Sequence, residues 1–257
     1  LYRYHDMRIG PGTGTQLAGL NVDVDGHGTE LDITWRPAGL PNLTLNLAYG
    51  WVNVELAEEY EEIDDRDLTQ GNPDYIALNS FGSHYVAPVA EVLPLVDQAI
   101  ADGAAIGEAG APGTIYANGI PSYFDRAYLE ANGVTTLNGI PAQMKGNQPR
   151  HAPEHTINLG VAYSWFLTRG TLTARWDYYW QDVSYAGVFN SPYDRIDSWG
   201  QHNASLIFES ADGNWDARLW GRNLGNEDNV YGRANREAII YGEPRIYGLS
   251  VRYNWGN

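Results

Sequence analysis

The side chains that could make or break bonds are few and scattered. The six histidines are His5, His27, His84, His151, His155 and His202. Only His151 and His155 fall close together, in His151-Ala152-Pro153-Glu154-His155. Histidines four apart bind zinc when a helix sets them on one face, and Pro153 breaks that helix. The chain has no cysteine, which excludes thiolate metal sites and disulfides. No Gly-x-Ser-x-Gly nucleophile elbow occurs. The acidic run Glu58-Glu59-Tyr60-Glu61-Glu62-Ile63-Asp64-Asp65 offers hard oxygens of the kind calcium takes, but it lacks EF-hand spacing. It reads first as a solvated loop, with a cation site as the second reading. Enzyme activity is not expected, nor is a cofactor, and a metal is left open.

The remaining charges are organised by alternation. In 171–182, Leu172, Ala174, Trp176, Tyr178 and Trp180 share one face, and Thr173, Arg175, Asp177, Tyr179 and Gln181 the other. Segment 214–222 sets Trp215, Ala217 and Leu219 against Asp216, Arg218, Trp220 and Arg222. Segment 245–255 sets Tyr247, Leu249, Val251, Tyr253 and Trp255 against Gly248, Ser250, Arg252 and Asn254. The pattern recurs at 29–35, 43–51 and 156–165, and more weakly at 197–208. A period of two is that of a two-faced β-strand. Runs of nine to twelve residues exceed the five or six usual in a sandwich and match a tilted strand crossing a bilayer.

Composition narrows the partners. The 257 residues carry a net charge of −16 and a single lysine, Lys145, which argues against nucleic acid. There are 18 Tyr and 9 Trp against 5 Phe, a choice that suits a membrane interface, a β-sandwich or a carbohydrate-binding domain alike. No run of 18 apolar residues is present, so no transmembrane helix is expected. No signal peptide is visible, which reads either as its removal or as a chain that starts within a longer protein.

The connections alternate in length. Short links lie at 37–41, 168–170 and 210–213, and long ones at about 57–152, 184–196 and 223–242. That parity resembles the periplasmic and extracellular ends of an outer-membrane barrel. With a strand at Leu1–Ile9, eight strands are expected. The 57–152 insert is too long for a structureless loop. It is expected to fold as a lobe, with helical spacing across Val89–Ala105.

Several segments together resemble the C-terminal part of the barrel in TonB-dependent outer-membrane receptors. They are Gly28-Thr29-Glu30-Leu31-Asp32-Ile33-Thr34-Trp35-Arg36-Pro37, the proline-marked His151–His155, Asn223-Leu224-Gly225-Asn226-Glu227 and Gly242-Glu243-Pro244-Arg245. Gly225 stands where the family usually has Phe. The resemblance implies an all-β fold: a transmembrane antiparallel β-barrel, with about eight strands of a 22-stranded whole and a long extracellular insert at 57–152. It implies location in the outer membrane of a Gram-negative bacterium. It further implies TonB-dependent uptake of a bulky nutrient, such as a ferric siderophore, another metal chelate or an oligosaccharide. The implied partners are a plug domain, the remaining barrel strands, the TonB complex, outer-membrane lipids and the substrate. The lumen or plug-contacting set would be Arg175, Asp177, Tyr179, Asp216, Arg218, Trp220, Arg222 and Arg252. Substrate-contacting loops would present Tyr185, Phe189, Tyr193, Tyr231, Arg233, Arg236 and Tyr241. The alternatives are a small closed structural or adhesion barrel and a passive porin.

Overall fold

Alternating apolar and polar residues can be sorted to two environments only by extended backbone, because only the strand repeats every two residues. Eight segments do this: β1 (Tyr2–Ile9), β2 (Leu20–Trp35), β3 (Leu43–Leu56), β4 (His155–Leu167), β5 (Gly170–Gln181), β6 (Trp199–Ser210), β7 (Trp215–Arg222) and β8 (Ile246–Tyr253). The computed structural model describes residues 2–9, 20–106, 119–234 and 238–255. Each strand pairs antiparallel with its neighbour in sequence, so the sheet is a meander ordered β1 to β8.

The register carries the two faces across the sheet. One row runs Trp35, Leu45, Val161, Trp176, Ala204, Gly221, Tyr247, and the next runs Leu43, Tyr163, Ala174, Leu206, Leu219, Leu249. A slip of one residue would exchange every side chain between faces, so the pattern itself fixes the pairing. The apolar face stays exposed: Leu219 is 54% and Leu249 69% accessible. An exposed apolar face this broad marks a contact surface.

The short links are tight turns. In 37–41 the Leu40 N–H donates to the Pro37 carbonyl at 3.0 Å. At 210–213 the Ser210 hydroxyl and the Asn214 N–H both donate to one oxygen of Asp212, and Gly213 takes φ 72°. Gly170 starts β5 at φ 151°, where a Cβ would collide with the Glu209 carbonyl.

The sheet is open, and this overturns the transmembrane barrel expected from the sequence. In a closed barrel the first and last strands pair. Here β1 and β8 are both edges, and no pairing joins them among the described residues. The eight described strands therefore do not close into a barrel by themselves, and the structure does not show the transmembrane barrel that was expected. No helix of the described residues is long and apolar enough to cross a membrane.

Residues Glu59–Met144 form a second compact unit, so the protein is mostly rather than wholly β. A hairpin (Tyr75–Ser80 and Ser83–Pro88) packs with the short helices Val89–Val92, Val96–Ala101 and Arg126–Ala131 around Leu78, Tyr85, Ile120, Phe124 and Leu129. Pro94 interrupts the helical spacing expected over 89–105. It sits in a 3₁₀ turn, Leu93–Leu95, that joins the first two helices. Asp125 caps the third helix by accepting from the Ala127 N–H at 3.0 Å. The acidic run is not a loop throughout, because Glu61–Ile63 pairs with Pro141–Gln143. Among the described residues no group of three His, Asp or Glu side chains is placed to hold a metal ion.

Two phenols make this unit sensitive to alkali. Burial, with the hydrogen bond to Glu62 at 2.6 Å, pushes Tyr60 up to about 12. Burial, followed by the nearby Asp125 charge, raises Tyr85, whose hydroxyl donates to the Phe124 carbonyl at 2.8 Å. A phenol whose folded pKa is raised contributes stability that is complete below its unfolded value and is lost as pH climbs towards the folded one. The 59–144 unit is therefore expected to lose stability between pH about 10 and about 12. Urea midpoints measured across that range would fall, and a flat profile would contradict the assignment.

Candidate functional site

The polar face carries the side chains able to hold a ligand. Its central rows are Thr34, Asn46, Gly160, Asp177, Asn203 and, beside them, Thr44, Ala162, Arg175, Ser205, Trp220, Gly248. Small residues open room between the larger ones. Gly248 lies under the Trp220 ring, which any Cβ there would displace. Two cavities of about 370 and 400 Å³ result, and they share Asp177 and Asn203 as one trough.

At one end, the Arg175 guanidinium forks onto Asp177, with Nε 2.8 Å from one oxygen and a terminal nitrogen 2.6 Å from the other. That hydrogen bonding raises the Arg175 pKa further. At the other end lie Arg218, Trp220 and Arg222. The Arg222 guanidinium sits 5.5 Å from the Trp220 ring centroid and 3.3 Å from the Glu243 carboxylate. Arg218 is exposed and has no carboxylate partner among the described residues. Asn203 joins the ends, since its Oδ1 accepts from Gln201 Nε2 at 3.0 Å and from the Asn223 N–H at 3.1 Å.

Beyond the trough stands an aromatic row. The Trp199 ring lies 5.2 Å from Tyr179 and 4.6 Å from Tyr231. The Tyr231 hydroxyl donates to Gln201 Oε1 at 2.9 Å, and the Tyr179 hydroxyl to Gln181 Oε1 at 3.1 Å. Burial holds both phenols above their usual range.

The wall residues expected from the sequence divide into two groups. Arg175, Asp177 and Tyr179 line one cavity, and Asp177, Arg218, Trp220 and Arg222 the other. Asp216 and Arg252 face each other at 3.7 Å and line neither. Among the loop residues, Tyr231 joins the aromatic row, and Arg233 donates to the Arg195 carbonyl at 3.0 Å. Tyr185 pairs with Arg195 in a two-residue ladder. Phe189 is partly buried, while Tyr193 and Tyr241 are exposed; none of the three lines the trough. Arg236 lies outside the described residues. Sequence reasoning missed Trp199, Gln201, Asn203 and Asn223. The signal was weak because His202 and Gly200 occupy apolar parity on β6 and blur its alternation.

Fold and site together define an open, two-faced antiparallel sheet with a polar trough and an inserted α/β unit. No known protein-family pattern matches the chain, and no curated protein matches its sequence. Solved structures do share its fold. The siderophore receptor PiuA from Acinetobacter baumannii is 14% identical with a TM-score of 0.54, matching 98% of this chain and 25% of its own. The ferric yersiniabactin uptake receptor FyuA from Yersinia pestis is 12% identical with a TM-score of 0.52, matching 98% of this chain and 26% of its own.

The chain thus spans about a quarter of the length of these receptors. At such identities the likeness shows a fold alone. It does not make the chain a TonB-dependent receptor, and the described strands form an open sheet rather than the closed barrel expected. The plug domain, remaining barrel strands, TonB complex, outer-membrane lipids, outer-membrane location and gated uptake all presuppose a closed barrel. The described strands do not form one, so the structure supports none of these expectations, nor the small closed barrel or the passive porin.

Proposed function

We propose that this chain is a non-catalytic binding protein that holds an oxygen-rich polycarboxylate against its polar face, with no transport step. The observation that carries the reading is Arg218. It is a guanidinium in the trough, beside Trp220 and Arg222, with no carboxylate partner among the described residues. A guanidinium presents a planar fork of donors that matches a carboxylate in two-point contact. Trp220 supplies a flat wall, and Asn203 and Ser205 supply an amide and a hydroxyl. Guanidinium, indole, amide and hydroxyl are binding groups, which supports binding over bond making.

The overall charge of −16 does not oppose an anion here. Residues 59–144 contain thirteen Asp and Glu against two Arg, so −11 of the total lies in the inserted unit. The trough is less acidic than the inserted unit, with Arg175, Arg218 and Arg222 against Asp32 and Asp177.

Citrate is a suitable probe, and calorimetry the readout. Arg218→Gln is expected to weaken citrate binding about ten- to hundredfold, the worth of a charge-assisted hydrogen bond of about 1.5–3 kcal/mol. Its thermal midpoint should stay unchanged, because the side chain is exposed. Equal affinity in the variant would remove the reading.

A further inference from the structure

A third cavity, of about 480 Å³, opens where segments 195–200 and 227–233 meet the end of β5. Its size suits a small molecule, and its charges are bipolar. The Arg195 guanidinium is engaged by Asp197 at 2.8 Å. Arg233 uses Nε on the Arg195 carbonyl at 3.0 Å, which holds the guanidinium in place and leaves its two terminal amino groups without a partner among the described residues. Glu227 and Asp228 line the same cavity, neither in an ion pair among the described residues. The segment that carries them is anchored by Asn229, 6% accessible, whose Nδ2 donates to the Gly200 carbonyl at 3.1 Å.

An aromatic surface completes the lining. The Tyr178 ring lies over Gly200, where a Cβ would sit 2.6 Å from the phenolic oxygen. It stacks on His202 at 4.5 Å and 25°. The glycine is therefore what lets the tyrosine reach the cavity. One cationic fork, two carboxylates and a stacked ring pair within one lining match in kind the two charges and the side chain of an amino acid.

We infer that this cavity binds a small zwitterion of the α-amino-acid type, with its carboxylate on Arg233, its ammonium on Asp228 and Glu227, and its side chain against Tyr178. The site shares Tyr178 with the trough lining, but its charged groups Arg233, Glu227 and Asp228 line neither trough cavity, so it does not depend on how the trough is used.

Calorimetry with phenylalanine, N-acetylphenylalanine and phenylalanine amide tests this on the unmodified chain, since each blocked form removes one charge. Saturable binding of phenylalanine is expected, with a loss of about tenfold or more on either blocking, the worth of one charge-assisted hydrogen bond. Arg233→Gln should weaken phenylalanine but leave the amide, which has no carboxylate, at its original affinity. Asp228→Asn should weaken phenylalanine and leave the N-acetyl form alone. Equal binding of all three compounds, no saturation at millimolar phenylalanine, or indifference to both substitutions would overturn the assignment.

Discussion

Phe124→Ala is expected to unfold the 59–144 unit while the eight-stranded sheet keeps its protection from hydrogen exchange. Phe124 is fully buried at the centre of that unit's core, and its ring lies 6.4 Å from Tyr128. Removing a buried phenylalanine costs about 3–5 kcal/mol, through lost transfer energy and the cavity left behind. Native domains hold only about 5–15 kcal/mol in total, and small ones lie at the low end. The carbonyl of Phe124 accepts the buried Tyr85 hydroxyl, so disorder at 124 also strands a polar group. Mass-spectrometric hydrogen exchange should show fast exchange over 75–88 and 123–131 and unchanged exchange over β3 to β7. Uniform loss across both units would show that they fold as one, and no loss would show that the core is misplaced.

Asn223→Ala should be the most damaging single change in the sheet unit. Asn223 is 1% accessible and takes φ 47°, a left-handed conformation that asparagine tolerates and alanine resists. Its Nδ2 donates to the carbonyls of Glu227 (2.8 Å) and Glu243 (2.9 Å), and its Oδ1 accepts from the Glu227 N–H at 3.0 Å. One side chain thus ties the turn after β7 to the segment leading into β8. Alanine would remove the partner of three part-buried backbone groups and hold a strained conformation, a loss on the order of 2–4 kcal/mol. The Asn223 N–H also holds Asn203, so citrate affinity should fall together with the urea midpoint. Asn223→Asp keeps the acceptor and loses the donors, and is expected to fall between. A cost below about 1 kcal/mol would mean that the hub is dispensable.

How legible this was in the sequence varies by level. Strand positions were readable because each face is set by parity: Ile157, Leu159, Val161 and Tyr163 can share a side only on extended backbone. The turns were readable from proline and glycine at 37–41 and 168–170. Closure was not. An open meander and a closed eight-stranded barrel share the same alternation and the same short turns, and they differ only in whether β1 meets β8. Nothing in either strand encodes that contact. The motif Asn223–Glu227 stood out as a pattern, but its physical reason, a buried amide serving three backbone groups, depends on Glu243 arriving from another segment. The trough was half visible. Arg175, Asp177, Arg218, Trp220 and Arg222 follow from parity on well-patterned strands, whereas Trp199, Gln201 and Asn203 were hidden by the polar residues on the other face of β6. The core of the inserted unit draws on Leu78, Tyr85, Ile120, Phe124 and Leu129 from separate short elements, so no local periodicity announces it.

The central claim is that the polar face, between Arg175 and Arg222, is where a polycarboxylate sits. An NMR titration with citrate on the intact chain tests it most directly, by following the side-chain N–H signals of Arg218, Arg222 and Trp220. Saturable shifts confined to these groups and to Asn203, abolished by Arg218→Gln, are predicted. Shifts centred on the 59–144 unit or on the apolar face, or no saturable shift at all, would contradict the account.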